Sequence, residues 1–517
     1  PSGTVGATLT VPISANTLRV NSSWTGGADT ISNAGKTLML NGLIGVGSGR
    51  TTISGTGKLV IGATKELVVN WTVGFSSVIC PVTNNPAGAS SVILNNALGS
   101  GGEFTWGGAS PNTYSGGTTI NSFGQLNVGV GAFGTGSVTM NGGSTIRPVD
   151  GSSSFANSFT INGGGIFRNN TAMTYSGAIT INGSSLQFTS PGSSGATLSG
   201  NVSGTGGINA NPPASATYLL SGTNTYTGST TVSLGKLQAG RASVPDVSGA
   251  FGLNSAVTLA NTANVILDLN GYNAQIGSLT GGGTTGGIAT NSHATTAVTL
   301  TVGGNNTSPA TFAGRILGPR LALRKIGSGT LTLSGANNYS NSTTVSAGTL
   351  SVSNSVFADG ADVRLYTGSK LSLNYSGTDT IRSLYTNGVG LAAGEWGSVA
   401  SGATNQSALF TGIGKLNVTT LGSTTFTNNI SGAVTTNGVG LAGVTVSAGA
   451  RSATTKSDGT YTIIGVLDGG TYTVTPSKYR YSFSPASDPV TLKGGDIAGK
   501  NFTATLLPPQ GTVMLIF

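Results

Sequence analysis

The sequence predicts an all-β chain: a right-handed parallel β-helix, or solenoid, followed by a small β-sandwich. Three observations predict it. First, β-branched and apolar residues alternate with polar ones in short runs that Gly and Asn interrupt, as in TLTLS at 330–334. Period-two alternation between turn residues is the signature of short strands. Second, the pattern repeats. The stretch KIGSGTLTLSGANNYSNSTTVSAGTLSV at 325–352 returns as YLLSGTNTYTGSTTVSLGKLQAG at 218–240 and NTYSGGTTINSFGQLNVG at 112–129, and more weakly as TYSGAITINGSSLQF at 174–188. Tyr114, Tyr226 and Tyr339 stand 112 and 113 residues apart, and self-similarity of this kind argues for stacked repeats. Third, the texture changes after residue 420, where about seven short strands and their turns fill 429–505, the pattern of a sandwich.

Composition bounds this reading. A chain of 517 residues is long for one compact domain. A solenoid has no such ceiling, because each coil buries its inner face on its neighbours. Gly is abundant at 85 residues and charged residues make up only 7%, yet the 37% of apolar residues come in alternating runs rather than diluted. That texture fits narrow strands and tight turns better than a disordered coil. The excess of 23 basic over 14 acidic residues is spread along the chain, with Arg315, Arg320, Arg324 and Lys325 its nearest approach to a cluster. Nucleic-acid binding needs a clustered basic face, so no nucleic-acid partner is expected; a weak attraction to acidic glycans is compatible with the balance. The single cysteine, Cys80, lies among Val78, Ile79, Pro81 and Val82 and reads as a small buried hydrophobe. The start at Pro1 fits a mature product after signal-peptide removal. No apolar run approaches the ~20 residues of a membrane helix, and no closing set of ~10-residue alternating segments points to a membrane barrel.

Taken in order, residues 1–100 read as N-terminal coils and a cap, with strands in ATLTVPI (7–13), KTLMLNGLIGV (36–46), GKLVIGA (57–63) and ELVVNWTV (66–73). A solenoid end exposes unpaired strand edges and needs a cover. Residues 101–420 read as the main solenoid, at ~20–25 residues per coil, right-handed because parallel crossovers take that hand. Two Gly-rich segments, PGSSGATLSGNVSGTGG (191–207) and GGGTTGGIATNSHATTA (281–297), read as loops bulging from it. Residues 421–428 read as a linker and 429–505 as the sandwich, with hairpin turns at Asp458-Gly459 and Gly469-Gly470. Residues 506–517, LLPPQGTVMLIF, form an apolar tail.

The run GSGTLTLSGANNY, followed by TTV and GTL, resembles the autotransporter-associated β-strand repeat. Three more stretches resemble material found beside such repeats: VILDLNGYNAQIGSLTGGG, LTVGGNNTSPATFAGRILG and LSLNYSGTDTIRSLYTNGV. The likeness covers 104–420 and implies a secreted, passenger-type solenoid. The pieces GLAGVTV, SDGTYTI, GGTYTVTPSK and YSFSPAS in 429–505 resemble carboxypeptidase-regulatory-like and prealbumin-like domains, small Ig-like β-sandwiches. That likeness implies a stalk or spacer without catalysis.

The residues that carry chemistry are sparse. His293 is the only histidine, which excludes a His-based triad or a His-rich metal site. Glycan cleavage on a β-helix needs paired carboxylates. Asp268 reads as a turn residue, Asp359 and Asp362 flank a Gly turn, and Asp246, Asp379 and Glu395 (beside Trp396) are scattered. The repeat tyrosines read as a stacking ladder or, alternatively, as a sugar-binding face. Asn-x-Ser/Thr sequons occur at Asn21, Asn70, Asn169, Asn201 and Asn305 among others. No catalytic residue, cofactor or metal is expected. The sequence reading is therefore a non-catalytic extracellular structural protein of a bacterial surface. It would be a fibre subunit that joins copies of itself head-to-tail through Val513, Met514, Leu515, Ile516 and Phe517, added as a strand to a neighbour's sheet edge. The alternatives are a tail that closes its own sandwich, a monomeric secreted adhesin or passenger that binds glycans or host surfaces, and a glycan-active enzyme.

Overall fold

The structure is a computed structural model that describes residues 6–22, 28–47, 50–71, 76–96, 103–149, 154–190, 192, 194–213, 215–422 and 426–508. The chain is all-β and winds a right-handed parallel β-solenoid of about 16 turns. Among the described residues the only helical element is a 3-10 turn, Val399–Ser401. The chain forms two compact units: one of residues 1–242, 248–293 and 313–315, the other of 243–247, 294–312 and 316–517.

In the first unit one coil takes about 20 residues, since Val138 pairs with Phe159 and Phe159 with Ile179 in parallel register. A thirteen-stranded sheet runs from Gly6–Thr8 to Ser278–Gly281. An eleven-stranded sheet lies between Ile13–Ser22 and Val202–Gly204. A third sheet enters with Ser154–Phe155 and continues through Met173–Tyr175 to Ile288–Thr290. Strict alternation aims every second side chain inward, so like stacks on like. Val69, Leu94, Ile120, Met140, Ile161 and Ile181 form one fully buried column, each opposite the next in the strand register. Beside it Phe133, Phe155, Tyr175 and Phe167 form an aromatic stack, with Tyr175 and Phe167 centred 4.5 Å apart.

Both Gly-rich segments read as loops contain strands instead: Ala196–Leu198, Val202–Gly204 and Ile288–Thr290. Each short strand needs only one or two inward side chains, here Ala196, Leu198, Val202 and Ala289. So sparse an apolar signal hides among Gly, Ser and Thr.

The second unit holds further parallel coils and a C-terminal pair of sheets. One parallel sheet runs through Val298–Val302, Leu321–Lys325, Thr343–Val345, Asp362–Leu365 and Ser383–Thr386. A second runs through Thr330–Leu333, Gly348–Val352, Ser369–Leu373 and Phe410–Gly412. After residue 426 the pairing turns mostly antiparallel. Thr427–Thr436, which starts inside the segment read as a linker, pairs with Thr460–Leu467 and Phe502–Leu506. Thr445–Ala448 pairs with Arg451–Thr454 and Thr471–Ser477. The two small sheets share an apolar core that includes Ile430, Val446, Tyr461, Ile463, Val474, Leu492 and Phe502.

These small sheets pack on the coils of the same unit. Asp468 accepts hydrogen bonds from the Tyr366 hydroxyl and from the Gly494 N–H, the latter at 2.9 Å. The carbonyl of Lys493 accepts from Arg324 Nη2 at 3.0 Å and from the Ser346 hydroxyl. The Phe426 ring lies 4.5 Å from that of Tyr385, and the Arg364 guanidinium sits 3.7 Å above it. The turn at Gly388 comes so close to the turn after Leu467 that a Cβ there would lie 2.8 Å from the Asp468 carbonyl. With φ at +78°, Gly388 also holds a conformation that other residues rarely adopt.

Candidate functional site

The repeated residues turn out to be structural. Each copy carries the spacing Asn-x-Tyr-x-x-x-Thr: Asn112, Tyr114 and Thr118; Asn224, Tyr226 and Thr230; Asn337, Tyr339 and Thr343. The three tyrosines are fully buried, and their hydroxyls share hydrogen bonds of 2.6, 2.8 and 2.8 Å with the threonine four residues on. Burial pushes all three phenol pKa values up, partly opposed by those threonine bonds. Each asparagine side-chain oxygen accepts a main-chain N–H from an earlier coil, that of Val82, Val202 or Ile316, at 2.7–2.9 Å. The motif thus pins one coil to the next. Its three tyrosines form neither a sugar-binding face nor the aromatic stack of Phe133, Phe155, Tyr175 and Phe167, to which only the weaker copy at 174–188 contributes its tyrosine, Tyr175.

The scattered carboxylates are tied into separate structural roles. Asp268 is fully buried. It accepts from the Ser292 hydroxyl, Gln238, and the N–H groups of Ser292 and Asn270, and lies 3.6 Å from the Lys236 ammonium. Burial pushes its pKa up, but those hydrogen bonds outweigh it and hold the carboxyl below its ordinary value. Asp362 takes a two-pronged contact from Arg382 at 2.9 Å per oxygen. Asp379 accepts the N–H groups of Val356 and Phe357, and burial raises its pKa. Glu395 pairs with Lys415 at 3.0 Å, while Asp246 and Asp359 are exposed. His293 is exposed in its loop, and Cys80 is buried, its thiol pushed up to about 11 by desolvation. Among the described residues no three His, Cys, Asp or Glu side chains gather as a metal cluster would require, and no helix is long and apolar enough to cross a membrane. Of the sequons, Asn169 is buried and bonded to Tyr175. Val513, Met514, Leu515, Ile516 and Phe517 lie outside the described residues.

What the coils display outward is polar and ordered. On the eleven-stranded sheet, Asn70, Asn95, Asn121, Asn141, Asn162 and Asn182 stand opposite one another in consecutive coils. Each after Asn70 donates from its Nδ2 to the Oδ1 of the one before, over 2.7–3.0 Å. Two positions earlier on each strand runs a second file: Gly42, Val68, Ile93, Thr119, Thr139, Thr160 and Thr180. At the N-terminal end of both files a cavity of about 300 Å³ opens, lined by Asn16, Thr17, Asn41, Gly42, Thr64 and Glu66 among others. Gly42, at the second file's position, lies in its wall, where a Cβ would come within 3.1 Å of Thr17 Oγ1. Asn41 bridges Asn16 and Thr64 at 2.8 Å each.

The thirteen-stranded sheet carries a charged patch. Glu103 pairs with Arg147 at 3.3 Å and accepts from Gln125 and Asn127, while Arg168 donates to Gln125. A smaller cavity of about 220 Å³ adjoins it, lined by Arg50, Thr52, Ser76, Ser77, Glu103, Thr105 and Asn127. The strand pattern gave away the outward positions of both sheets in the sequence. What it did not give was which outward residues share a file, because that requires the coil length at every step.

Three segments, 107–122, 215–239 and 323–352, match the passenger-associated-transport-repeat family. They contain or overlap the three Asn-x-Tyr-x-x-x-Thr motifs. The adhesin BmaC autotransporter of Brucella suis biovar 1 (strain 1330) is 32% identical over 265 residues, which is 48% of this chain and 7% of that protein's length. No solved structure matches. The coils thus carry passenger-associated transport repeats in three segments, each holding one of the motifs that lock a coil in place, and the chain is similar over about half its length to the passenger-type repeats of an autotransporter adhesin.

Proposed function

We propose that the chain is part of the passenger of a secreted or cell-surface adhesin and that it acts by binding, not by catalysis. The observation that carries this reading is the similarity to an adhesin autotransporter over 265 residues. The site geometry agrees with it: Asp268, Asp362, Asp379 and Glu395 are each spent on separate turns or ion pairs rather than converging on one site, and the ordered polar residues face outward. On this reading 1–420 is the display surface, and the two C-terminal sheets are a spacer of the carboxypeptidase-regulatory-like, Ig-like sandwich type. The similarity favours this over a head-to-tail fibre subunit, whose joint would be Val513–Phe517. Beads coated with the full chain should adhere to animal cell monolayers more than albumin-coated beads do. Adhesion no better than albumin, or release of reducing sugar from polysaccharides by the purified protein, contradicts the reading.

A further inference from the structure

We propose that the paired Thr and Asn files and the cavity at their N-terminal end form one binding site for a neutral, linear polysaccharide. The inference rests on the adhesin reading and names the class of ligand. Four features of the files, and the cavity beside them, point to it.

The array is periodic and neutral. From Val68 to Asn182 both files contain only Val, Ile, Thr and Asn, one of each file per coil. The step between coils is about 4.8 Å, the spacing of neighbouring strands. A ligand that engages successive coils must itself repeat, and between Val68 and Asn182 a polyanion finds no cation in either file; the nearest in register is the exposed Arg19, two strands beyond Asn70. The spare bonding capacity faces outward. An amide offers two N–H groups and two lone pairs. The ladder uses one of each at Asn95, Asn121, Asn141 and Asn162, leaving a donor and an acceptor per coil, the complement of a sugar hydroxyl. The amides are already held in place by one another, so little side-chain entropy is lost on binding. Beside them the methyl groups of Thr119, Thr139, Thr160 and Thr180, with Val68 and Ile93, supply a narrow apolar strip for the C–H faces of sugar rings.

The cavity is the second, independent observation. It shares Gly42, Val68 and Asn70 with the files and adds Asn16, Asn41, Thr64 and Glu66. At about 300 Å³ it is at the small end of ligand pockets. It would seat the end of the chain, or one branch, while the files hold the rest.

The test uses the full chain and soluble neutral hexasaccharides of β-linked glucose, N-acetylglucosamine and mannose, with heparin as the polyanion, by calorimetric titration. At least one neutral hexasaccharide should bind saturably. A Thr119→Lys/Thr160→Lys variant should weaken it by about tenfold or more, and Gly42→Val, which fills the cavity, should weaken it measurably. Thr231→Lys, on the outward face of the thirteen-stranded sheet, should leave affinity within about twofold and is the control for the substitution itself. Circular dichroism confirms that each variant keeps its strands. No binding by any neutral hexasaccharide, binding by heparin alone, or binding that the file and cavity variants leave unchanged overturns the proposal. If cell adhesion stands while the hexasaccharides fail, the site falls and the adhesin reading survives. If both fail, both fall.

Discussion

At the residue scale the chain shows how a solenoid with few charges uses them. Lys325 is almost fully buried, and its ammonium donates to the carbonyls of Ile326, Gly327 and Ala347 at 2.6, 2.9 and 3.3 Å. Desolvation pushes its pKa down from 10.5 to about 8. Below pH 8 both folded and unfolded chains carry the proton, and the folded state bears the full cost of burying the charge. Between about 8 and 10.5 the unfolded chain binds a proton that the folded one does not, so this group's contribution to stability rises with pH. The buried Cys80 thiol acts in the opposite sense above 9.0, and the buried tyrosines do so above 10.0. Lys325 is therefore isolated by difference. The stability of the parent minus that of Lys325→Met, from urea unfolding, should grow by on the order of 3 kcal/mol from pH 7.5 to 10.5. A difference that stays flat or shrinks means the ammonium is not desolvated.

At the element scale the asparagine ladder has a direction. Asn70 only accepts within it, whereas Asn141 both donates to Asn121 and accepts from Asn162. A carboxylate accepts but cannot donate. Asn70→Asp should therefore be tolerated within about 0.5 kcal/mol, whereas Asn141→Asp sets two acceptors face to face and should cost about 1–3 kcal/mol, read from chemical denaturation. Equal costs at the two positions would show that the ladder does not bond in this sense. The strands that build it were legible in the sequence: TTIN, VTMN, FTIN and ITIN all alternate. Their common Asn was visible too. Its alignment was not, because coils of 20 and 21 residues come with longer ones that have no fixed spacer. The Asn-x-Tyr-x-x-x-Thr spacing stood in all three repeats, but alternation does not distinguish a buried hydroxyl that locks a coil from an aromatic ring that faces a ligand. Short strands such as Val202–Gly204 escaped notice because one inward valine is too weak a signal.

At the scale of the molecule, the second unit joins coils and small sheets through polar groups at their contact. Asp468 is the hub, with Tyr366 and the Gly494 N–H as its donors. Asp468→Ala leaves both donors without that acceptor, at about 1–3 kcal/mol. Differential scanning calorimetry should then resolve a separate, earlier transition for the C-terminal sheets, which keep a core of their own in Val446, Tyr461, Val474 and Phe502. A single transition that merely shifts as a whole would show that the sheets have no separate stability. Asp458-Gly459 is a turn, with the Asp458 side chain accepting from the Thr460 N–H and hydroxyl, but neither it nor Gly469-Gly470 closes the hairpin expected: each joins strands that pair in different sheets. Nothing in the sequence marked Asp468 or Lys493 as contacts with coils more than a hundred residues away in the chain.

The bonding sense of the asparagine ladder also makes it an electrical object. Six amide dipoles lie head to tail, and hydrogen bonds in series polarise one another. As with the aligned peptide units of a helix, their partial charges cancel along the row and survive at its ends. The positive end is the unused N–H of Asn70, in the wall of the cavity that also holds Glu66, and the negative end is the oxygen of Asn182. The face therefore has a polarity along its length: at one end the Asn70 N–H can donate to a ligand oxygen beside the Glu66 carboxylate, and at the other the Asn182 oxygen can accept from a hydroxyl. A directional polymer lying on it, with chemically different termini, would meet two unlike ends and adopt one orientation.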